Sequence, residues 1–535
     1  MPTIPIRDIG MKGWVPDIVP QDLPLGALPR MLNCRFSNKA LATLPNPAVD
    51  ITPTENIQYA APYYYEGANR MLLILDSEWR LYEDDDTFVD VTPLVWTAST
   101  YWYHVQQGET LILTNGVDVP FVLFSYTGSF ETMPGWPAEY RCEVIESYKN
   151  FLVALRITKN AITQPSLIKW CQPVAPGDTV YDWDFTDPGN LAGENPYQQS
   201  GQGIRGGEVV GDSMYIYYDE SSVRMNYVGG QFVMSFQGLF QDDGMVSPHA
   251  STHVEGSSYV FGFRDIYVHD GVRKNSLTDR RLSRWLIENV DYDFPIFTEF
   301  YPARNEVCFL FRVQSEGAAD HMLVYNRLWD AFTLVETQDP GGAGLYKQIV
   351  MGPRLVTGTL RYVDVAADSP ENYYSSYDSV SYSDVFATAV DSVFYAVRLV
   401  DGQAVVRSVS GVSELVNMDP RAFTEIFPRP FSVEQATLDF DEYIKSVGDT
   451  ILYVNRLYPQ VNSTGGKMTF RIGQRANPNA GIFWGDPVGF DPVEDYAVDL
   501  RETGRYLAVQ IESLPGSAEF TLSGVDIELE NVGGQ

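Results

Sequence analysis

Few residues of this chain are spaced to do chemistry. The segment Tyr181-Asp182-Trp183-Asp184-Phe185-Thr186-Asp187 offers three carboxylates close together. Paired carboxylates serve glycoside hydrolysis, one as acid and the other as base or nucleophile. The chain holds 70 acidic residues, however, and such clusters then arise from composition alone. His249 and His253, in the run HASTH, would share one face of a strand and could take a metal. His104, His269 and His321 stand apart from them. The run Glu83-Asp84-Asp85-Asp86 is acidic, but it lacks the alternating ligands and the glycine of a calcium loop. Cys34, Cys142, Cys171 and Cys308 are far apart with no CxxC pair, which predicts free buried thiols and fits assembly in a reducing cytoplasm. No GxGxxG follows a strand, and no GxxxxGK[ST], HExxH or GxSxG motif occurs. The expectation is a chain that is not an enzyme and carries no catalytic residue, cofactor or metal.

Charge narrows the classes further. The net charge is −33, and a nucleic-acid wrapper would need the reverse, because binding neutralises phosphates with Lys and Arg. Either the acidity only solvates the surface, or it keeps a nearby polyanion from adhering. One stretch departs from this: Arg273, Lys274, Arg280, Arg281 and Arg284 gather beside Asp265, Asp270 and Asp279. Pairing with those acids or with adjacent subunits is one reading, and contact with DNA phosphate or an acidic partner is the other.

The elements that must position these residues are strands. From Gly211 to Gly271, aromatic and β-branched runs alternate with Gly, Asp and Ser turns, which reads as one blade-like unit. The same grammar recurs over 70–92, 103–124, 142–173, 305–336 and 393–410, at blade-like spacing. Asn115-Gly116 is the strongest short hairpin signal. One helix is predicted in 279–290, where Leu282, Trp285 and Leu286 share a face. The predicted fold is all-β: a β-propeller of about six or seven blades, followed by a C-terminal antiparallel β-sandwich or platform. The boundaries are an extended arm and hairpin over 1–56, the propeller over 57–425 with an insertion near 366–384, and the sandwich over 426–535. The opening residues contain no apolar run resembling a signal peptide, and no window approaches the ~18 apolar residues of a membrane helix. No membrane insertion by this chain is expected.

The arm carries Trp14, Ile18, Leu23, Leu25 and Leu28 among prolines that prevent a helix. Side chains this apolar must pack, either on the chain's own body or on another subunit or adaptor.

Four stretches, in this order, resemble the nozzle or tail-tube-tip proteins of short-tailed bacteriophages. They are LPLGALPRMLNCRFSNKALATLPN, then YHVQQGETLILTNGVDVPFVL, then SVRMNYVGGQFVMSFQGLFQDDGMVSPHA with SSYVFGFRDIYVHDG, and last IGQRANPNAGIFWG, GRYLAVQIES and LSGVDIELE. One departure is Asn38-Lys39, where the family often has Asp-Gly or Asn-Gly. The resemblance implies a homo-oligomeric ring, a hexamer, in the virion's short tail. Its partners would be the tail adaptor protein, tail fibres or spikes, and the genomic double-stranded DNA passing through the channel. It transfers no catalytic residues. The competing reading is a propeller that binds host glycan with aromatics such as Trp96, Trp102, Trp183 and Trp329.

Overall fold

In the computed structural model, the described residues are 3–533 except 20–21, 25, 38, 45–47, 84–86, 176, 199–202, 231, 314–318, 338–344, 354–392, 400–403, 406–407, 410–412, 418–430, 436–450, 464–466, 478–479 and 514–519. The region singled out as an insertion, 366–384, lies outside them.

Strand Ala68–Leu75, ANRMLLIL, shows how the fold arises. Its side chains alternate between the two faces of a sheet, and both faces are apolar. Leu72 and Ile74 pack with Leu111, Leu113 and Phe121 of the next sheet in sequence. Met71, Leu73 and Leu75 pack with Val350, Tyr395, Val397 and Leu415, from far down the chain. A strand buried on both faces, by its sequence neighbour and by the chain's distant end, is what a closed ring of sheets produces.

The ring is built of antiparallel meanders. The first sheet runs Ile57–Tyr65, Ala68–Leu75, Trp79–Tyr82 and Phe88–Asp90, and the second Tyr103–Gln107, Thr110–Thr114, Phe121–Leu123 and Glu131–Thr132. The third begins with Tyr140–Tyr148 and Phe151–Lys159, the fourth covers Ile204–Gln241, and the fifth covers Ser251–Ser276. The sixth is Phe297–Tyr301, Glu306–Phe311, His321–Asn326 and Ala331–Glu336. The seventh takes Leu345–Gly352, Val393–Leu399 and Ser413–Asn417, and its outer strand is Ala48–Ile51 from the other end of the chain. Successive sheets share apolar cores, and the last shares one with the first, so the fold is an all-β propeller. Closure by Ala48–Ile51 ties both ends of the ring into one sheet.

Both chain ends also build two further sheets that share one core. Thr3–Arg7 pairs with Phe520–Gly533, which also pairs with Ile451–Ser463 and Ala40–Thr43. Ser432–Gln435 lies between Arg30–Leu32 and Tyr506–Ser513, and Arg30–Leu32 joins the outer strand of the sixth sheet in parallel. Leu457, Phe470, Val509 and Ile527 meet Phe36 and Leu41 in that core. The segment set apart as an arm therefore supplies strands to these sheets and to the ring.

Three local expectations are revised. Gly211–Gly271 spans parts of two sheets rather than one unit, because the inner strand Ser251–Val254, STHV, has no apolar run to announce it. Asn115-Gly116 does not close a two-residue hairpin. The Asn115 side chain instead accepts from the N–H groups of Val117 and Asp118 at 3.0 and 2.8 Å, making a wider loop. The helix is Ser283–Asn289. Lys39 adopts a φ of 63°, the left-handed backbone usually given to glycine. No helix among the described residues is long and apolar enough to cross a membrane.

Candidate functional site

The residues brought together by the fold are not those whose spacing suggested chemistry. Asp182, Asp184 and Asp187 are exposed and make local turns: their oxygens accept the N–H groups of Asp184, Thr186 and Gly189 at 2.9, 2.9 and 2.8 Å. His253 is exposed, whereas His249 turns inward. Glu83 pairs with Arg70 at 2.8 Å, and Asp84 to Asp86 lie outside the described residues. All four cysteines are buried free thiols. Trp102 and Trp183 are buried, and Trp96 and Trp329 pack on the core, so none forms an open platform for a sugar.

The basic stretch is largely neutralised within the chain. Lys274 pairs with Asp243, Arg281 with Asp330 at 2.5 Å, Arg284 with Glu288 at 2.8 Å, and Arg280 with Asp279 at 3.8 Å. Arg273 is exposed. In the arm, Trp14 and Leu28 are 5% and 0% exposed within the chain's own core, so neither has surface to offer an adaptor. Ile18 and Leu23 are half-buried, and Leu25 lies outside the described residues.

What the ring does assemble is a central cavity of about 310 Å³, lined by the innermost strands and the turns beside them. Tyr59 comes from the first sheet, Tyr103 and His104 from the second, Glu146 from the third and Glu208 from the fourth. His249 and Ser251 come from the start of the fifth, Glu299 from the sixth and Gln348 from the seventh. Each acid lies on an inner strand whose central position faces the axis, where no neighbouring sheet can cover it.

Burial in this enclosure pushes the carboxyls of Glu146, Glu208 and Glu299 each up to about 8. For Glu146 a hydrogen bond from Tyr103 opposes the rise, and for Glu208 one from Ser258 does. The negative charge of Glu146 adds to the rise at Glu208. Glu299 has no hydrogen-bond partner among the described residues. The same burial pushes His104 down to about 4 and His249 down to about 3. Tyr59 bonds His104 Nδ1 at 2.8 Å. His249 Nε2 donates to the Trp102 carbonyl at 2.9 Å, which leaves its Nδ1 as an acceptor, and the ring stacks on Phe297 at 4.7 Å. At neutral pH the wall is thus mostly uncharged inside a strongly acidic protein.

From Glu208 a directional chain runs into the protein. Ser258 donates to Glu208, Tyr217 bonds Ser258 at 2.9 Å, and His269 Nε2 bonds Tyr217 at 2.7 Å. The Gly271 N–H donates to His269 Nδ1 at 3.2 Å, so Nε2 carries the proton and donates to the tyrosine. Gly271 itself has φ +84°, and a Cβ there would stand 1.8 Å from the Tyr215 hydroxyl, so only glycine fits.

Sequence reasoning did not single out Glu146, Glu208, Glu299 or Gln348. The available signal was one polar residue in the middle of a strand beside each turn, repeated from sheet to sheet. The arrangement can hold hydrogen-bonding or cationic guests. No cluster of three metal-ligating side chains occurs among the described residues.

No family model and no curated protein matches the chain. The CNH domain of AfRom2 is 8% identical, with 70% of this chain and 98% of that one covered at a TM-score of 0.34. An exo-β-1,3-galactanase from Phanerochaete chrysosporium is 8% identical, with 90% and 100% covered at a TM-score of 0.23. A luciferin-regenerating enzyme is 9% identical, with 50% and 88% covered at a TM-score of 0.28. Likeness at this level carries no argument about activity, and the propeller rests on its own sheets.

Proposed function

We propose that this chain is a structural protein of a short bacteriophage tail, a nozzle subunit that forms an oligomeric ring conducting or retaining the DNA genome. On this reading the seven sheets are seven blades, and the sheets built from both chain ends form a sandwich-like platform welded to the sixth blade. The ordered likeness of four stretches to nozzle proteins supports it. The observation that carries it physically is the fate of the basic stretch. Lys274, Arg281 and Arg284 each pair with an acid of the same chain, and only the exposed Arg273 and Arg280 remain beside them, so a body of charge −33 offers duplex DNA no continuous track of free cations. A conduit needs that property, since a basic wall would hold the genome back by salt-dependent contacts.

The test is a DNA-binding titration of the assembled protein at physiological salt. Negligible affinity with no salt dependence supports the reading. Affinity that falls steeply with salt would mean phosphates are being neutralised and would contradict it.

A second reading, a glycan-binding propeller for host attachment, is favoured by one observation: the polar central cavity. A glycan array separates the two, because a conduit gives no saccharide signal.

A further inference from the structure

We propose that the central cavity is a binding site for a small organic polyamine, a flexible chain bearing two or more ammonium groups. The cavity carries this proposal independently of the nozzle reading. At about 310 Å³ the space lies at the lower end of small-molecule pockets (~300–1,000 Å³). No Lys or Arg lines it, which excludes an anionic guest. Its three acids come from three separate inner strands, in the third, fourth and sixth sheets. They form no metal-chelating cluster among the described residues. Acids spread around a wall match donors spread along a chain, not one ion.

Two groups on that wall lack partners. Glu299 has no hydrogen bond among the described residues. The hydroxyl of its neighbour Thr298, a residue 4% exposed, is also unpaired. Glu146 takes one hydroxyl donor, from Tyr103, on one oxygen, which leaves the other for a guest, whereas Glu208 is held by the hydroxyls of Ser258 and Ser251. Phe297 and Tyr59 supply aromatic surface, which suits both the methylenes and the charge of an alkylammonium.

Binding would move protons in a defined way. A carboxyl held neutral by burial releases its proton to solvent as the ammonium group arrives, and the ammonium keeps its own. The titratable groups around Glu299 are Tyr59 across the cavity, His249 on the adjoining turn and Cys308 on the paired strand. Burial raises Tyr59 and Cys308 well above their ordinary values and lowers His249, so all three stay neutral near pH 7. Glu208 has Glu146, Tyr217 and Tyr267 as its titratable neighbours, and Glu146 has Tyr103. The carboxyls alone change charge across the neutral range.

The experiment is calorimetric titration of the full chain with putrescine and with spermidine. It is run at physiological salt, at pH about 6.5 and about 8.5, in two buffers of different ionisation enthalpy. The expected result is saturable binding near one guest per chain, about tenfold tighter at the higher pH, with proton release at the lower pH. Glu299→Gln should weaken it about tenfold, and Glu146→Gln serves as the second variant should the first fold poorly. Asp212→Asn, a surface acid whose side chain is 99% exposed, should leave it unchanged. Absence of saturable binding overturns the proposal. So does binding that Asp212→Asn weakens as much as Glu299→Gln, which would be surface charge neutralisation. Equally tight, pH-independent binding of a neutral saccharide such as galactose would assign the cavity to glycan instead.

Discussion

Gln348 and Ala60, 288 positions apart, form a two-bond pair in which a side-chain amide acts as a strand backbone. The Ala60 N–H donates to Gln348 Oε1 at 2.9 Å, and Gln348 Nε2 donates to the Ala60 carbonyl at 2.8 Å. A matching contact lies on the other flank, where the Tyr64 N–H donates to Gln106 Oε1 at 3.0 Å and Gln106 Nε2 donates back to the Tyr64 carbonyl. The inner strand Ile57–Tyr65 is thus hydrogen-bonded to both neighbouring sheets by glutamines. Gln348 stands at the seam where the ring closes.

Replacing Gln348 with Ala should therefore cost about 2–4 kcal/mol, because it leaves a buried backbone donor and acceptor unpaired. Gln106→Ala, at a more exposed pair, should cost less than about 1 kcal/mol. Denaturant midpoints of the two variants check this ordering, and equal losses would contradict it.

The cavity predicts a specific dependence of stability on pH. Glu146, Glu208 and Glu299 titrate near 8 when folded and near 4.5 in the ordinary state. The folded chain then holds protons that the unfolded chain releases, so these groups lower stability as pH rises from about 4.5 to about 8. His104, His249 and His269 have folded values of about 4, 3 and 4 against an ordinary 6.5, so they lower stability as pH falls from 6.5. The two sets oppose each other below 6.5, and the net loss falls between 6.5 and 8. Converting all three acids to Gln should flatten that decline by on the order of 1 kcal/mol per acid, discounted for their contact with the cavity. Melting temperature against pH for the two proteins reads it directly.

Removing residues 3–32 should prevent the sheets built from both chain ends from folding. Ile4, Trp14 and Leu28 are 4%, 5% and 0% exposed there, and burying each such side chain is worth ~1.5–3 kcal/mol. The expected outcome is low soluble yield and early loss of cooperative melting. A truncated chain that melts like the full one would show that the arm is not part of the core.

Asp182→Asn and Asp184→Asn should only slightly loosen the local turns they hold and leave any activity unchanged. A loss of polysaccharide cleavage in either folded variant would revive a hydrolase reading.

The strands legible in the sequence were those apolar on both faces. ANRMLLIL at 68–75 and EVCFLF at 306–311 are buried by sheets on either side and read as continuous apolar runs. Some of the innermost strands were hidden for the opposite reason. IRGGEVV at 204–210 and STHV at 251–254 face the axis, where a cavity takes the place of a neighbouring sheet, so they carry Glu, His and Gly. The candidate site was illegible with them. Ring closure brings together Tyr59, Glu146, Glu208, Glu299 and Gln348 from positions spread over nearly 300 residues, which no local spacing records. The exchange of strands between the chain ends was equally hidden, because Ile4 and Ile527 become neighbours only through pairing.

The most direct test of the tail reading is electron microscopy of the purified chain added to short tails that lack it. The account predicts closed rings of this chain at the distal end of the tail, with a central channel wide enough for duplex DNA. A chain that stays a 60.1 kDa monomer and leaves the tails unextended would contradict it.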